Sequence, residues 1–129
     1  MAKYNHLPIF QLAYKLILEI YGTTHQFPRE HKYALGQKLK DAGIEFIDFI
    51  ISANSQENKV LSLEETRIRL ERIRIYIRLS FNLRLITLKR YEFFSRFLED
   101  LSRQLSGWQD WARNFSEPES LNLRVQRAS

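Results

Sequence analysis

Ile73-Arg74-Ile75-Tyr76-Ile77-Arg78-Leu79-Ser80-Phe81-Asn82-Leu83-Arg84-Leu85 is the stretch on which the fold turns. Every odd position is apolar and every even one is Arg, Tyr, Ser or Asn, the alternation of a half-buried strand. Three features argue for a helix instead. The run far exceeds the usual strand of about five or six residues. No Gly or Pro interrupts it. Just upstream, Ser62-Leu63-Glu64-Glu65 has the form of a capping box, with Ser62 as N-cap and Glu65 reaching back. A helix over 62–86 follows. Wound that way, the apolar positions divide into two stripes: Ile73, Ile77, Phe81, Leu85 and Ile68, Ile75, Leu79, Leu83. Between them run two polar stripes: Arg67, Glu71, Arg74, Arg78, Asn82 and Arg69, Arg72, Tyr76, Ser80, Arg84. A helix with two opposed apolar stripes needs two partners. One is its own bundle, and the other is expected to be a second copy of the chain.

Outward from this segment, three further helices are expected. Over 7–25, Phe10, Tyr14, Ile17 and Tyr21 repeat at helical steps, and Pro8 suits a first turn. Phe27-Pro28 ends that segment. Over 29–54, Leu35, Leu39, Ala42, Phe46, Phe49 and Ala53 make one apolar face. Gly36 and Gly43, seven apart on one side, mark a close approach or are tolerated accidents. Over 87–114, Thr87 is a candidate cap, and Tyr91, Phe94, Leu98, Leu101, Leu105 and Trp108 form a near-heptad stripe. Phe93 and Phe97 lie off that stripe and join Ile68, Ile75, Leu79 and Leu83 as candidate oligomer-interface residues. The expected architecture is all-α: an antiparallel up-down four-helix bundle over residues 1–115 that assembles into a homo-oligomer. Residues 116–129, opening on Ser116-Glu117-Pro118-Glu119, are expected to be a poorly ordered tail.

Composition narrows the function. The 129 residues are 44% hydrophobic and 27% charged, as in one folded domain. There is no cysteine, which excludes disulfides and thiolate chemistry and is compatible with a cytoplasmic location. No apolar run approaches the length of a membrane span, and Leu16-Ile17-Leu18, closed by Glu19, is too short for a secretion signal. His6, His25 and His31 have no metal-ligand spacing, so neither a metal nor a cofactor is expected. No phosphate-cradling glycine loop, nucleophile elbow or catalytic triad is recognisable, and a non-enzymatic protein is expected.

The charge is concentrated. Thr66–Arg90 holds eight cations and one acid, a net +7, while the segments on either side are each −1 and the chain is +5. The cations are Arg67, Arg69, Arg72, Arg74, Arg78, Arg84, Lys89 and Arg90. Arginine presents a planar fork to phosphate and keeps its charge when partly desolvated. These eight are the candidate nucleic-acid-binding residues, with Tyr76 a candidate base-stacking ring. The competing reading pairs the arginines with acids of neighbouring helices such as Glu45, Asp48, Glu99 or Asp100.

Several pieces, in order and spacing, resemble the accessory variability determinant (Avd-like) family of diversity-generating retroelements. They are Leu7-Pro8-Ile9-Phe10 with Ala13-Tyr14, Phe27-Pro28-Arg29 with Leu35-Gly36 and Leu39, Leu83-Arg84-Leu85-Ile86-Thr87-Leu88-Lys89-Arg90-Tyr91-Glu92, and Gly107-Trp108. The resemblance spans about Leu7 to Trp111. It implies a four-helix bundle assembled as a homopentameric barrel with a basic surface. It also implies binding of RNA or DNA with little sequence preference, and a reverse transcriptase as partner in mutagenic retrohoming. A sister family of four-helix proteins, encoded in ribosomal intervening sequences, shares much of the pattern. An interaction scaffold with an acidic protein partner is the alternative from another class. Ala42-Gly43 stands where bulkier apolar residues are usual in the family.

Overall fold

The computed structural model describes residues 4–128, with side chains from residue 4 to residue 115. A 3-10 turn, Tyr4–His6, leads into α1 (Pro8–His25), a one-turn α2 (Arg29–Lys32), α3 (Leu35–Ser55), α4 (Val60–Asn82) and α5 (Leu88–Ala128). The four long helices alternate in direction. α1 pairs with α3, α3 with α4 and α4 with α5, and a lighter α1–α5 seam closes the square. Among the described residues there is no strand, and the alternating stretch is helical as far as Asn82. The tail expected to be poorly ordered, 116–129, falls where side chains lie outside the described residues; in backbone, α5 runs on to Ala128.

The core is one cluster filled by Phe46, Phe94, Leu16, Leu39, Leu70, Ile73 and Leu98, all fully buried. Three polar side chains join it. Thr24, Thr66 and Ser80 are buried, and each hydroxyl donates to a carbonyl one turn back at 2.8 Å. That satisfies the hydroxyls within their own helices, and the Thr66 hydroxyl also lies 3.4 Å from the Phe49 carbonyl of α3.

Several local expectations shift. The buried face of α1 is Ile9, Ala13, Leu16, Ile20 and Thr24, so Tyr14 and Tyr21 stand exposed. The small Ala13 and the aliphatic rows suit the inner side, whereas the tyrosine hydroxyls keep water at the surface. The helix expected over 29–54 is broken at Tyr33-Ala34, where Ala34 leaves helical geometry at φ −112°, ψ −94°. The cause is a close approach at Gly36. A Cβ there would lie 3.3 Å from the His31 carbonyl oxygen and 3.4 Å from the buried Phe27 ring. The chain folds back over the end of α1 at this point, and a Cβ would force its neighbours to give by a few tenths of an ångström. Gly43 likewise admits α1, its missing Cβ being 3.3 Å from Ile17.

The capping box does not form. α4 begins two residues ahead of Ser62, with the Val60 N–H donating to Asn58 Oδ1 at 3.1 Å. Lys59 explains the early start: its ammonium donates to the carbonyls of Ala53, Asn54 and Gln56 and closes the end of α3. Its backbone is thereby fixed at the threshold of α4. Thr87 does cap α5, its hydroxyl oxygen accepting the Arg90 N–H at 3.1 Å.

α4 ends at Asn82, short of the expected 86, in a hydrogen-bonded stop. The Leu85 N–H donates to the Ser80 carbonyl at 2.8 Å and the Arg84 N–H to that of Phe81 at 2.9 Å. This is a Schellman motif, whose left-handed position is usually glycine. Here it is Arg84, at φ +63°. A left-handed non-glycine costs about 1–2 kcal/mol. Arg84→Gly is therefore expected to raise stability by about 0.5–1 kcal/mol after the entropy of the unfolded glycine is counted. Thermal unfolding checks it, and an unchanged or lower midpoint would contradict the strain.

Candidate nucleic-acid interface

Facing helices engage four of the eight cations. Arg67 reaches across to α5, where its guanidinium donates to Gln109 Oε1 (2.9 Å), the Ser102 hydroxyl and carbonyl (both 3.1 Å) and the Ser106 hydroxyl (2.7 Å). Arg69 turns to α3. It pairs with Glu45 at 2.8 Å and Glu65 at 3.3 Å, and lies 4.0 Å above the Phe49 ring. Arg72 shares Glu45 at 3.3 Å, and Arg74 pairs with Glu71 at 3.3 Å. Arg90 points inward across the α1–α5 seam. It pairs with Glu19, donates to the Thr23 hydroxyl at 3.0 Å and covers the rings of Phe93 and Phe94. The pairing with acids of neighbouring helices weighed from sequence thus holds for Arg69, Arg72 and Arg90, whereas Arg74 pairs along its own helix and neutral acceptors hold Arg67.

Arg67 makes this distinction measurable. Arg67→Ala removes four bonds between α4 and α5 and leaves Ser102 and Gln109 to water. A loss of about 1–3 kcal/mol is expected in urea unfolding. The salt dependence of any nucleic-acid binding is expected to stay as it is; a shallower slope would return Arg67 to the contact surface.

Three of the eight remain. Arg78, Arg84 and Lys89 are exposed, and among the described residues none has an acid within ion-pair distance. Arg84 and Lys89 belong to the α4–α5 turn. Arg78 lies one turn below it, on a cleft of about 240 Å³ shared with Glu71, Arg74, Tyr91 and Ser95. The up-down topology brings other cations to the same end of the bundle. The end of α1 meets the turn directly, Gly22, Thr23 and Gln26 lining one hollow with Leu85, Ile86, Thr87 and Arg90. Beyond α1 lies α2 with Arg29 and Lys32, followed by Lys38 on the first turns of α3. Sequence reading missed this second group, because its members lie 28 to 37 residues upstream of the start of the basic window. The only local sign was the Pro28-Arg29 break. Glu30, Asp41 and Glu92 are the exposed acids in these segments; Glu30 is 3.4 Å from His31, and Asp41 accepts the Gln37 amide at 2.9 Å. Tyr76 is half-buried against the core at the α3–α4 seam, so both faces of its ring are not open to a base.

The two apolar stripes of α4 separate cleanly. Ile73 and Ile77 are in the core, with Phe81 half-buried and its ring stacked on Tyr91 at 4.6 Å. Ile68, Ile75, Leu79 and Leu83 face outward at 47%, 50%, 41% and 49% exposure. Phe93 and Phe97 do not join them. They pack edge-to-face at 5.6 Å and lie half-buried against the core. A second exposed apolar patch stands on the diagonally opposite helix: Tyr14, Leu18 and Tyr21 of α1, beside Ile44 of α3. Both patches sit at the same level of the bundle. The Arg90–Glu19 pair and the Phe81–Tyr91 stack place the upper parts of α1, α4 and α5 side by side.

Among the described residues, no cluster of three His, Asp or Glu is arranged to hold a metal ion, and no helix is long and apolar enough to cross a membrane. Compared with known proteins, the chain matches the model of the bAvd-like family over residues 7–112. No curated protein matches it.

Proposed function

The chain belongs to the bAvd-like family, and from that premise we propose that it is the accessory protein of a diversity-generating retroelement. In this reading it is a non-enzymatic homo-oligomer that binds RNA or DNA with little sequence preference and serves the element's reverse transcriptase. The observation that carries the nucleic-acid part is the basic end of the bundle. Among the described residues Arg78, Arg84 and Lys89 have no acid within ion-pair distance, with Arg29, Lys32 and Lys38 on neighbouring segments. Such a field attracts phosphate polymers and carries no means of reading bases, so contact with the backbone dominates.

Self-assembly rests on the outward stripe of α4. The α1–α3 patch is a different surface from that stripe, so contact between the two is heterologous, and a rotation without axial shift closes it into a ring. Each copy added to a ring brings a further basic end to the same rim, which strengthens the field. The subunit number, five by family resemblance, follows from the angle between the two patches.

The reading is tested by salt-titrated anisotropy with unrelated oligonucleotides and by the mass of the assembly in sedimentation equilibrium. Affinity that is similar across sequences and falls steeply with salt is the expected result. Absence of binding at low salt overturns the nucleic-acid reading and favours a scaffold for an acidic protein.

A further inference from the structure

We propose that Tyr33 is a stacking platform for an unpaired base, so that the basic end of the bundle prefers single strands over duplex. The inference rests on the nucleic-acid reading above and adds the class of strand to it.

Tyr33 is 71% exposed, more than any other aromatic side chain described, except that Phe115 comes close at 68%. The other exposed rings have company. Trp111 and Phe115 stack on each other at 5.2 Å, the Lys40 ammonium lies 5.4 Å over Tyr21, and Tyr14 meets Phe10 at 6.3 Å. Tyr33 has no ring or cation against it among the described residues. Nor does it belong to an apolar patch of its own segment: from Pro28 to Lys38 it is the one large apolar side chain exposed.

Its backbone is held. The Lys32 N–H donates to the Pro28 carbonyl at 2.9 Å, the Ala34 N–H to that of His31 at 3.2 Å, and the Lys38 N–H to that of Ala34 at 3.1 Å. The ring therefore projects from a hydrogen-bonded step between α2 and α3. That step exists because Gly36 lets the chain fold against Phe27 and His31. Arg29 and Lys32 flank it on α2, and the α4–α5 turn with Arg84 and Lys89 closes the same end of the bundle.

A protein-binding aromatic is normally set in an apolar, water-excluding surround. An isolated ring among cations is the arrangement used on single strands, where the cations follow the phosphates and the ring takes a base face. Every base has such a face, so stacking adds affinity without sequence preference. In a duplex the faces are covered by neighbouring pairs, and the ring finds nothing to stack on except at an end.

The test uses the full chain at low salt, with a single-stranded oligonucleotide carrying 2-aminopurine and the blunt duplex of the same sequence. The intact protein is expected to bind the single strand more tightly and to quench the probe. Tyr33→Ser is expected to lose about 10-fold or more on the single strand, to lose little on the duplex, and to keep the salt slope. Tyr33→Phe is expected to retain affinity and quenching, since the ring and not the hydroxyl does the stacking. Equal effects of Tyr33→Ser on both ligands, or none, overturn the stacking platform and leave phosphate binding standing. If the intact protein binds neither ligand, the nucleic-acid reading falls, and this inference with it.

Discussion

Ile75→Asp combined with Leu79→Asp is expected to turn the assembly into folded monomers of 15.5 kDa. Both side chains point away from the core, on the face of α4 opposite Ile73 and Ile77. Their replacement leaves the bundle intact, because solvent-exposed changes usually stay within about 0.5 kcal/mol. In an assembly the same positions are covered. Burying a half-exposed Ile or Leu contributes roughly 1 kcal/mol, and Ile68 and Leu83 extend the contact above and below. An aspartate in such a contact costs several kcal/mol more, since its carboxylate loses water without a partner. In a closed ring every subunit uses this stripe once, so one double variant breaks every interface. Sedimentation equilibrium at micromolar concentration checks the mass, and circular dichroism checks helicity. A wild-type protein that is already monomeric overturns the interface, as does a double variant of unchanged mass.

Reversing charge at the basic end is the second large effect. The triple variant Arg78→Glu, Arg84→Glu and Lys89→Glu removes the three cations of the basic window that have no acid partner among the described residues. If all three meet duplex phosphates, the slope of log affinity against log salt becomes shallower by about 2.7 units, at roughly 0.9 for each contact. Affinity at low salt is expected to fall at least about 100-fold, because three attractions become repulsions. The loss should be uniform across sequences, as backbone contacts carry no base information. Arg103→Glu, on α5 well below the turn and already paired with Asp100, is the control and should change little. Equal losses in the triple variant and the control would point to net charge alone rather than to a site.

Much of this protein was legible in its residues, and the failures are instructive. The helical reading of 73–85 held as far as Asn82, although the capping box that supported it does not form. The length of the run and the lack of breakers were sufficient. Thr87 was legible as a cap because capping is a contact across three residues. The break at Tyr33-Ala34 was not. Its cause is Gly36 against Phe27 and His31, a contact made only when the chain folds back over α1. The core face of α1 was not legible, because aromatic and aliphatic residues repeat on two neighbouring sides and periodicity does not tell which side α3 will cover.

The arginines divide the two levels of description most clearly. Arg67, Arg74 and Arg78 share one stripe of α4 by helical geometry alone, and that stripe was evident from their spacing. Yet Arg67 is fastened to α5, Arg74 pairs along its own helix, and Arg78 has no ion pair among the described residues. What separates them is the opposing surface, supplied by residues 35 to 42 positions away for the side-chain bonds of Arg67. By itself the sequence determined the helices, the double apolar face of α4 and the place of the charge, since each depends on neighbours within a turn or two. The tertiary structure alone decided which apolar stripe is buried, which cations are consumed and which segments join them at one end. Those outcomes depend on what the fold sets opposite each side chain, and burial and ion pairing act across that gap rather than along the chain.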